Sequence, residues 1–181
     1  MQVTLGRKGD YSVRAVLNLA RHYGNGRRKS REIAAEMDIP ERYLPQILAN
    51  LVRHRLLVAM AGPDGGYALA RDPAEVSLFD VVEAAEGALE GTSCMLRGGP
   101  CDWTDACPMH EPWTRAQGAL ANELRITTFR DLAAVDAAIE EGAYNVPSGH
   151  AIPTPREGVR GGSAPPRPAT RRKPAAGKAR R

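Results

Sequence analysis

The chain has 181 residues, 25 Lys/Arg against 21 Asp/Glu, and 43% apolar residues, enough for one ordinary domain with a real core. No stretch approaches the roughly 18 apolar residues of a membrane span, and the opening "MQVTLGRKGD" has no apolar signal core, so a cytoplasmic protein without a membrane partner is expected. Charge is uneven: residues 1–71 carry 12 Lys/Arg against 6 Asp/Glu, residues 72–141 carry 4 against 14, and residues 142–181 carry 9 against 1. A basic first part suits an anionic partner such as nucleic acid, and the acidic middle restricts that partner to one part of the fold.

Taken in order, the elements are mostly helical. In residues 9–24, Val13, Val16, Leu17, Ala20 and Tyr23 recur on one helical face, and "GNG" at 24–26 stops the helix. Ser30 is the expected cap of a second helix with Ile33, Ala34 and Met37 inside. "DIP" at 38–40 is a turn, and Leu44, Ile47, Leu48, Leu51 and Val52 stripe a third helix. Its start is expected near Glu41 or Arg42, since Pro45 must sit in or near the first turn. The period then shortens to two. Val58 and Met60, a "GPDGG" tip, and Tyr67 and Leu69 make a β-hairpin.

This order spells a mainly α fold: a winged helix-turn-helix with a two-stranded wing, expected over 1–75. Arg31, Arg42, Tyr43, Gln46 and Asn50 are its candidate DNA contacts, reaching phosphates and base edges of a double-stranded operator. Gly65 and Gly66 are expected to let the wing's backbone approach the duplex.

A second region, 76–141, opens with a Ser77/Asp80 capping box and a helix ended by Gly87. A loop follows, and then Trp113, Ala116, Leu120 and Leu124 stripe a long helix. Little of a small domain is left to cover that stripe. Pairing with a second copy is the expected use, and a homodimer would present two winged domains to a palindromic operator. Thr128 and Asp131 cap a last helix running to about Glu140. From 142 to 181 the chain is rich in Pro, Gly and Arg and is expected to be a disordered basic tail, either solubilising or a salt-sensitive DNA arm.

All three cysteines fall in "CMLRGGPCDWTDACPMH", 94–110. In a reducing compartment an odd, clustered set points to metal or redox chemistry rather than structural disulfides. Cys94, Cys101 and Cys107 supply three thiolates and His110 is the nearest fourth donor. Such a set suits an iron–sulfur cluster or a tetrahedral zinc. Wide, even spacing fits a labile cluster better than a zinc knuckle. No second histidine is placed as a base for a thiol enzyme, so no catalytic residue and no enzyme is expected.

The run "KGDYSVRAVLNLA" (8–20), "REIAAEMDIPERYLPQILANLVRHRLL" (31–57), "GPDGGYALAR" (62–71), "VSLFDVVEAAEG" (76–87), the cysteine triplet and "TTFRDL" (127–132) together resemble the Rrf-two family of bacterial transcription regulators, the IscR- and NsrR-like iron–sulfur proteins. The likeness covers about residues 1–135. It implies a homodimeric repressor whose operator affinity follows a 2Fe–2S cluster, or a 4Fe–4S one, that senses redox state, iron or nitric oxide. It also implies Cys94, Cys101 and Cys107 as ligands, with His110 as the fourth or Asp10 of the partner subunit in its place. The family's wing arginine is Ala61 here, and a recognition-helix glutamate is Pro45, so the operator sequence does not transfer. A zinc-stabilised or metal-free DNA-binding regulator is the first alternative, and a thiol redox protein that does not bind DNA the second.

Overall fold

The computed structural model describes residues 5–88 and 107–144. Helix α1 (Arg7–Arg21) is followed by α2 (Ser30–Glu36), α3 (Leu44–Arg53), strands β1 (Leu57–Met60) and β2 (Gly66–Leu69), a 3₁₀ turn at Pro73–Glu75, and helices α4 (Leu78–Glu86), α5 (His110–Ile126) and α6 (Phe129–Glu140). The fold is mainly helical, with a two-stranded antiparallel wing, as expected.

Helix α1 buries Ala15, Val16, Leu19 and Ala20 against α3, α4 and α6. It starts at Arg7 rather than residue 9, because a partner for its first turn comes from elsewhere: Gly9 N–H donates to Glu86 Oε1 of α4 at 2.9 Å. It also ends before Tyr23, which is exposed rather than part of the buried face. Ser30 is the first residue of α2, not its cap. Lys29 precedes the helix, and its N–H donates to the Glu32 carboxylate at 2.9 Å. The turn to α3 is tight. Asp38 takes a left-handed φ of 51°, a conformation Asp tolerates better than most residues, and buried Ile39 donates back to Ala34 at 3.0 Å.

The third helix begins at Leu44, later than the expected Glu41 or Arg42. Residues 41–43 form a turn closed by Tyr43 N–H to Pro40 O at 2.9 Å. Pro45 is then the second helical residue, where a missing N–H has no partner to lose. Leu44, Leu48 and Leu51 are fully buried. In the wing, Leu57 pairs with Leu69 and Met60 with Gly66. The buried residues are Leu57 and Leu69, while Val58 and Met60 are exposed. Burial does not alternate along β1, where Val58, Ala59 and Met60 are all exposed, and only the ends of the wing nearest the body enter the core.

Helices α4 and α6 start side by side. Ser77 and Asp80 form one capping box and Thr128 and Asp131 the other, and Ser77 and Thr128 are bridged as an antiparallel pair. Leu78 donates to Thr127 O at 2.8 Å and Phe129 to Val76 O at 2.9 Å. Gly87 ends α4 at φ 94°, where a side chain would be strained. Phe129 and Val76 enter the same core as Val16, Ile33 and Leu48. Residues up to Tyr144 form one compact unit. Helix α5 packs on α4 yet buries only Ala121. Among the described residues, no helix is long and apolar enough to cross a membrane.

Candidate nucleic-acid interface and metal centre

The face formed by the N-terminus of α2, the turn and α3 carries the first set of candidates. Arg31, Arg42 and Gln46 are exposed. Tyr43 is half-exposed at the mouth of α3, and the Arg42 guanidinium lies over its ring at 4.8 Å from the centroid. The ring also meets Tyr11 of α1, centroids 6.1 Å apart. Tyr11 was not among the expected contacts. It sits beside Asp10 in the first turn of α1, and nothing in the sequence joins it to a residue 32 positions away.

Asn50 is a correction. It is buried, its Nδ2 donates to Ala84 O of α4 at 2.6 Å, and its Oδ1 accepts from Arg53 at 3.0 Å. Both ends of the amide are used, Nδ2 bracing α3 on α4 and Oδ1 holding Arg53 within α3, since a buried polar group without partners is costly. It has no free edge for a base. The wing glycines are a second correction. Gly65 is buried at the foot of the tip, its N–H donating to Gly62 O at 3.0 Å, and a side-chain carbon there would collide with backbone of Met60 and Gly62. Gly66 has φ 149°, and a side-chain carbon would sit 2.6 Å from Arg28 O. Arg28 and Tyr67 exchange both backbone hydrogen bonds, at 2.9 and 2.8 Å. Gly66 lets the chain before α2 pack against β2, and Gly65 lets the hairpin tip close on itself. The exposed tip is Ala61 to Asp64.

Several basic residues near this face are already paired. Arg28 reaches Glu36 and, at 3.6 Å, Glu32. Glu36 also accepts from Asn18 at 2.6 Å and faces His22 at 3.2 Å. Partial desolvation would raise the Glu36 carboxyl, but Asn18, His22 and Arg28 outweigh it and hold it below its ordinary value. In Asp131 the Thr128 hydroxyl, then the Thr128 N–H, lower the carboxyl in the same way.

The second set of candidates lies at the head of α5. Cys107 is a free, half-buried thiol, and His110 N–H donates to Cys107 O at 3.1 Å, closing one turn. His110 opens α5 and is exposed. One thiol and one imidazole three residues apart on a tight turn are the donor types that iron–sulfur and zinc sites use, so the described part of the donor set fits such a group. Cys94 and Cys101 lie outside the described residues, and among those described no three metal-ligating side chains come together. Asp10 is committed elsewhere. It is half-buried, and its carboxylate accepts from Arg14 Nε at 2.9 Å. Arg14 in turn reaches the Met37 carbonyl at the end of α2, at 3.4 Å.

A family profile described as Rrf2, iron-dependent transcriptional regulator, matches residues 5–135. The chain belongs to the Rrf2 family. IscR, an HTH-type transcriptional regulator of Sodalis glossinidius, is 32% identical over 128 residues, 71% of this chain and 77% of that protein. IscR of Cronobacter sakazakii is 30% identical over 128 residues, 71% and 78% of the two chains. Among solved structures, CymR, titled the global cysteine regulator of B. subtilis, aligns at TM-score 0.64 with 28% identity, covering 74% of this chain and 98% of that one. T. potens IscR aligns at 0.63 with 28% identity, covering 81% and 95%. The match ends at residue 135, so the winged part, α5 and the cysteine segment belong to the Rrf2 pattern and the basic tail does not. As an Rrf2 regulator the chain acts by binding DNA and is not an enzyme.

Proposed function

We propose that this Rrf2 regulator is a homodimeric repressor of a palindromic operator, and that an iron–sulfur cluster sets its DNA affinity. The observation that carries the reading is the turn Cys107–His110 at the head of α5. Two soft donors sit there, at the start of the helix that leaves its apolar face open for a second copy. Cys94, Cys101 and Cys107 are the proposed thiolates. His110 is preferred as fourth ligand over Asp10, because the Asp10 carboxylate is held by Arg14. When bound, the cluster supplies a centre sensitive to redox state, iron supply and nitric oxide. The chain's own part is to place that segment between α4 and α5, so that ordering it biases the spacing of the two α3 helices.

Anaerobic purification followed by a visible spectrum and metal analysis tests this. A coloured protein that bleaches with nitric oxide or oxygen is expected, with Cys101→Ala colourless and altered in operator affinity. His110→Ala should destabilise the colour more than Asp10→Ala. A colourless zinc protein, or Cys101→Ala with unchanged affinity, would sink cluster sensing. It would move the assignment to a cluster-free regulator, a reading favoured by the fit to the cysteine regulator CymR.

A further inference from the structure

Within the turn, the recognition helix and the wing, the charges single out one side chain, Arg31 lying outside them on α2. From Asp38 to Val52, Arg42 is the only Lys or Arg, and the wing from Leu57 to Leu69 has none, its one charge being Asp64. Arg53 closes α3 but turns back to Asn50, and Arg28 is taken by Glu36 and Glu32. Among the described residues Arg42 makes no ion pair. In the turn before α3 Glu41, Arg42 and Tyr43 are exposed, and along α3 itself Pro45, Gln46, Ala49 and Arg53 are. Pro45 and Ala49 have no side-chain hydrogen-bonding group, Arg53 is held by Asn50 and Tyr43 lies against Arg42, which leaves Arg42 as the cationic donor at the mouth of the helix and Gln46 one turn on.

Arg42 is also preorganised. Tyr43 places its ring under the guanidinium, and Tyr11 meets that ring from α1. A guanidinium held against a ring keeps its N–H edge available and loses less freedom when it binds a planar pair of acceptors. The N-terminal end of a recognition helix is the part that meets base edges in the major groove.

We infer that Arg42 is the guanine-reading residue of this regulator, donating two N–H groups to O6 and N7 of one guanine in each half-site, with Tyr43 as its positioning residue. The inference rests on the DNA-binding reading and adds the base and the side chain that selects it. Selection of the full chain against a library of randomised duplexes tests it. The wild type should enrich a two-fold motif with a fixed guanine in each half. Arg42→Ala should lose about tenfold or more of the discrimination at that base pair and keep the rest of the motif. Arg42→Lys should recover only part of it, having a single point charge. Tyr43→Leu should weaken preference at the same pair and no other. An unchanged motif with Arg42→Ala would overturn the assignment. So would uniform weakening on every sequence with a shallower salt dependence, which marks a phosphate contact. If the wild type enriches no motif, sequence-specific DNA binding itself fails and Arg42's role with it.

Discussion

In the winged part, the helices bury a shared apolar core and several charged side chains are paired across elements. Leu44, Leu48 and Leu51 of α3 close on Val16 of α1 and Ile33 of α2, and Glu36 gathers donors from α1 and from the segment before α2. In α5 the pattern reverses. Of its 17 residues only Ala121 is buried, Leu120 is 47% and Ile126 61% exposed, and the Arg115–Glu111 ion pair stays within the helix. At the end of α5, Arg125 lies over the Phe79 ring of α4 at 4.0 Å. A helix that polar and charged pairs cannot hold needs its apolar face covered. The winged part fills its core in one copy, whereas α5 leaves Leu120 and Ile126 exposed.

The comparison breaks first, if it breaks, at α6. This helix follows α5 in sequence but belongs with the winged part, because Phe129 is fully buried in the shared core. Phe129→Ala should therefore lower the unfolding free energy by about 3–5 kcal/mol, read from urea denaturation. A loss below about 1 kcal/mol, at the level of an ordinary surface change, would put α6 with α5 instead.

The second break concerns α5 itself. Leu120→Asp places a charge on the open stripe. If that stripe is the dimer contact, the dissociation constant should rise at least about 30-fold, the effect of losing a hot spot worth ~2 kcal/mol. Sedimentation at several concentrations reads it directly, and the helical signal of the winged part should stay. A dimer of undiminished strength would show that the copies pair elsewhere.

How much of this was legible in the sequence follows the same division. The capping boxes at Ser77/Asp80 and Thr128/Asp131 stand as expected because a cap is a contact three residues long. Of the stripe expected on α5, Ala116 and Leu120 are exposed, while Trp113 and Leu124 are half-buried. What was not legible depends on distant partners. Asn50 has the composition of a base reader, and only the Ala84 carbonyl reveals its structural use. Gly65 and Gly66 look like a supple wing tip, yet Arg28, some forty positions earlier in the sequence, requires Gly66 to be bare. The start of α1 shifted for the same reason, since Glu86 reaches Gly9. Of the metal candidates, Cys107 and His110 are joined through the backbone of one turn, which a three-residue spacing already implies.

The smallest effect tests whether charge pairing in the winged part is what the geometry says. Glu36 joins α1 and the segment before α2 through Asn18, His22 and Arg28, and its carboxyl is held below its ordinary 4.5 despite partial desolvation. A carboxyl lowered in the folded state contributes stability above its unfolded value. As pH falls, the unfolded chain takes up the proton first, and the contribution is lost as pH passes down through the folded value. Because the group is exposed over much of its surface, the gain is modest and salt-sensitive. Urea midpoints of wild type and Glu36→Gln should differ at neutral pH, with the wild type higher, and converge as pH falls below the ordinary carboxyl value of 4.5. The convergence should shrink in high salt. Curves that stay parallel would mean that the Glu36 carboxylate does not carry the link between α1 and α2, and that packing of Ile33 and Val16 does so alone.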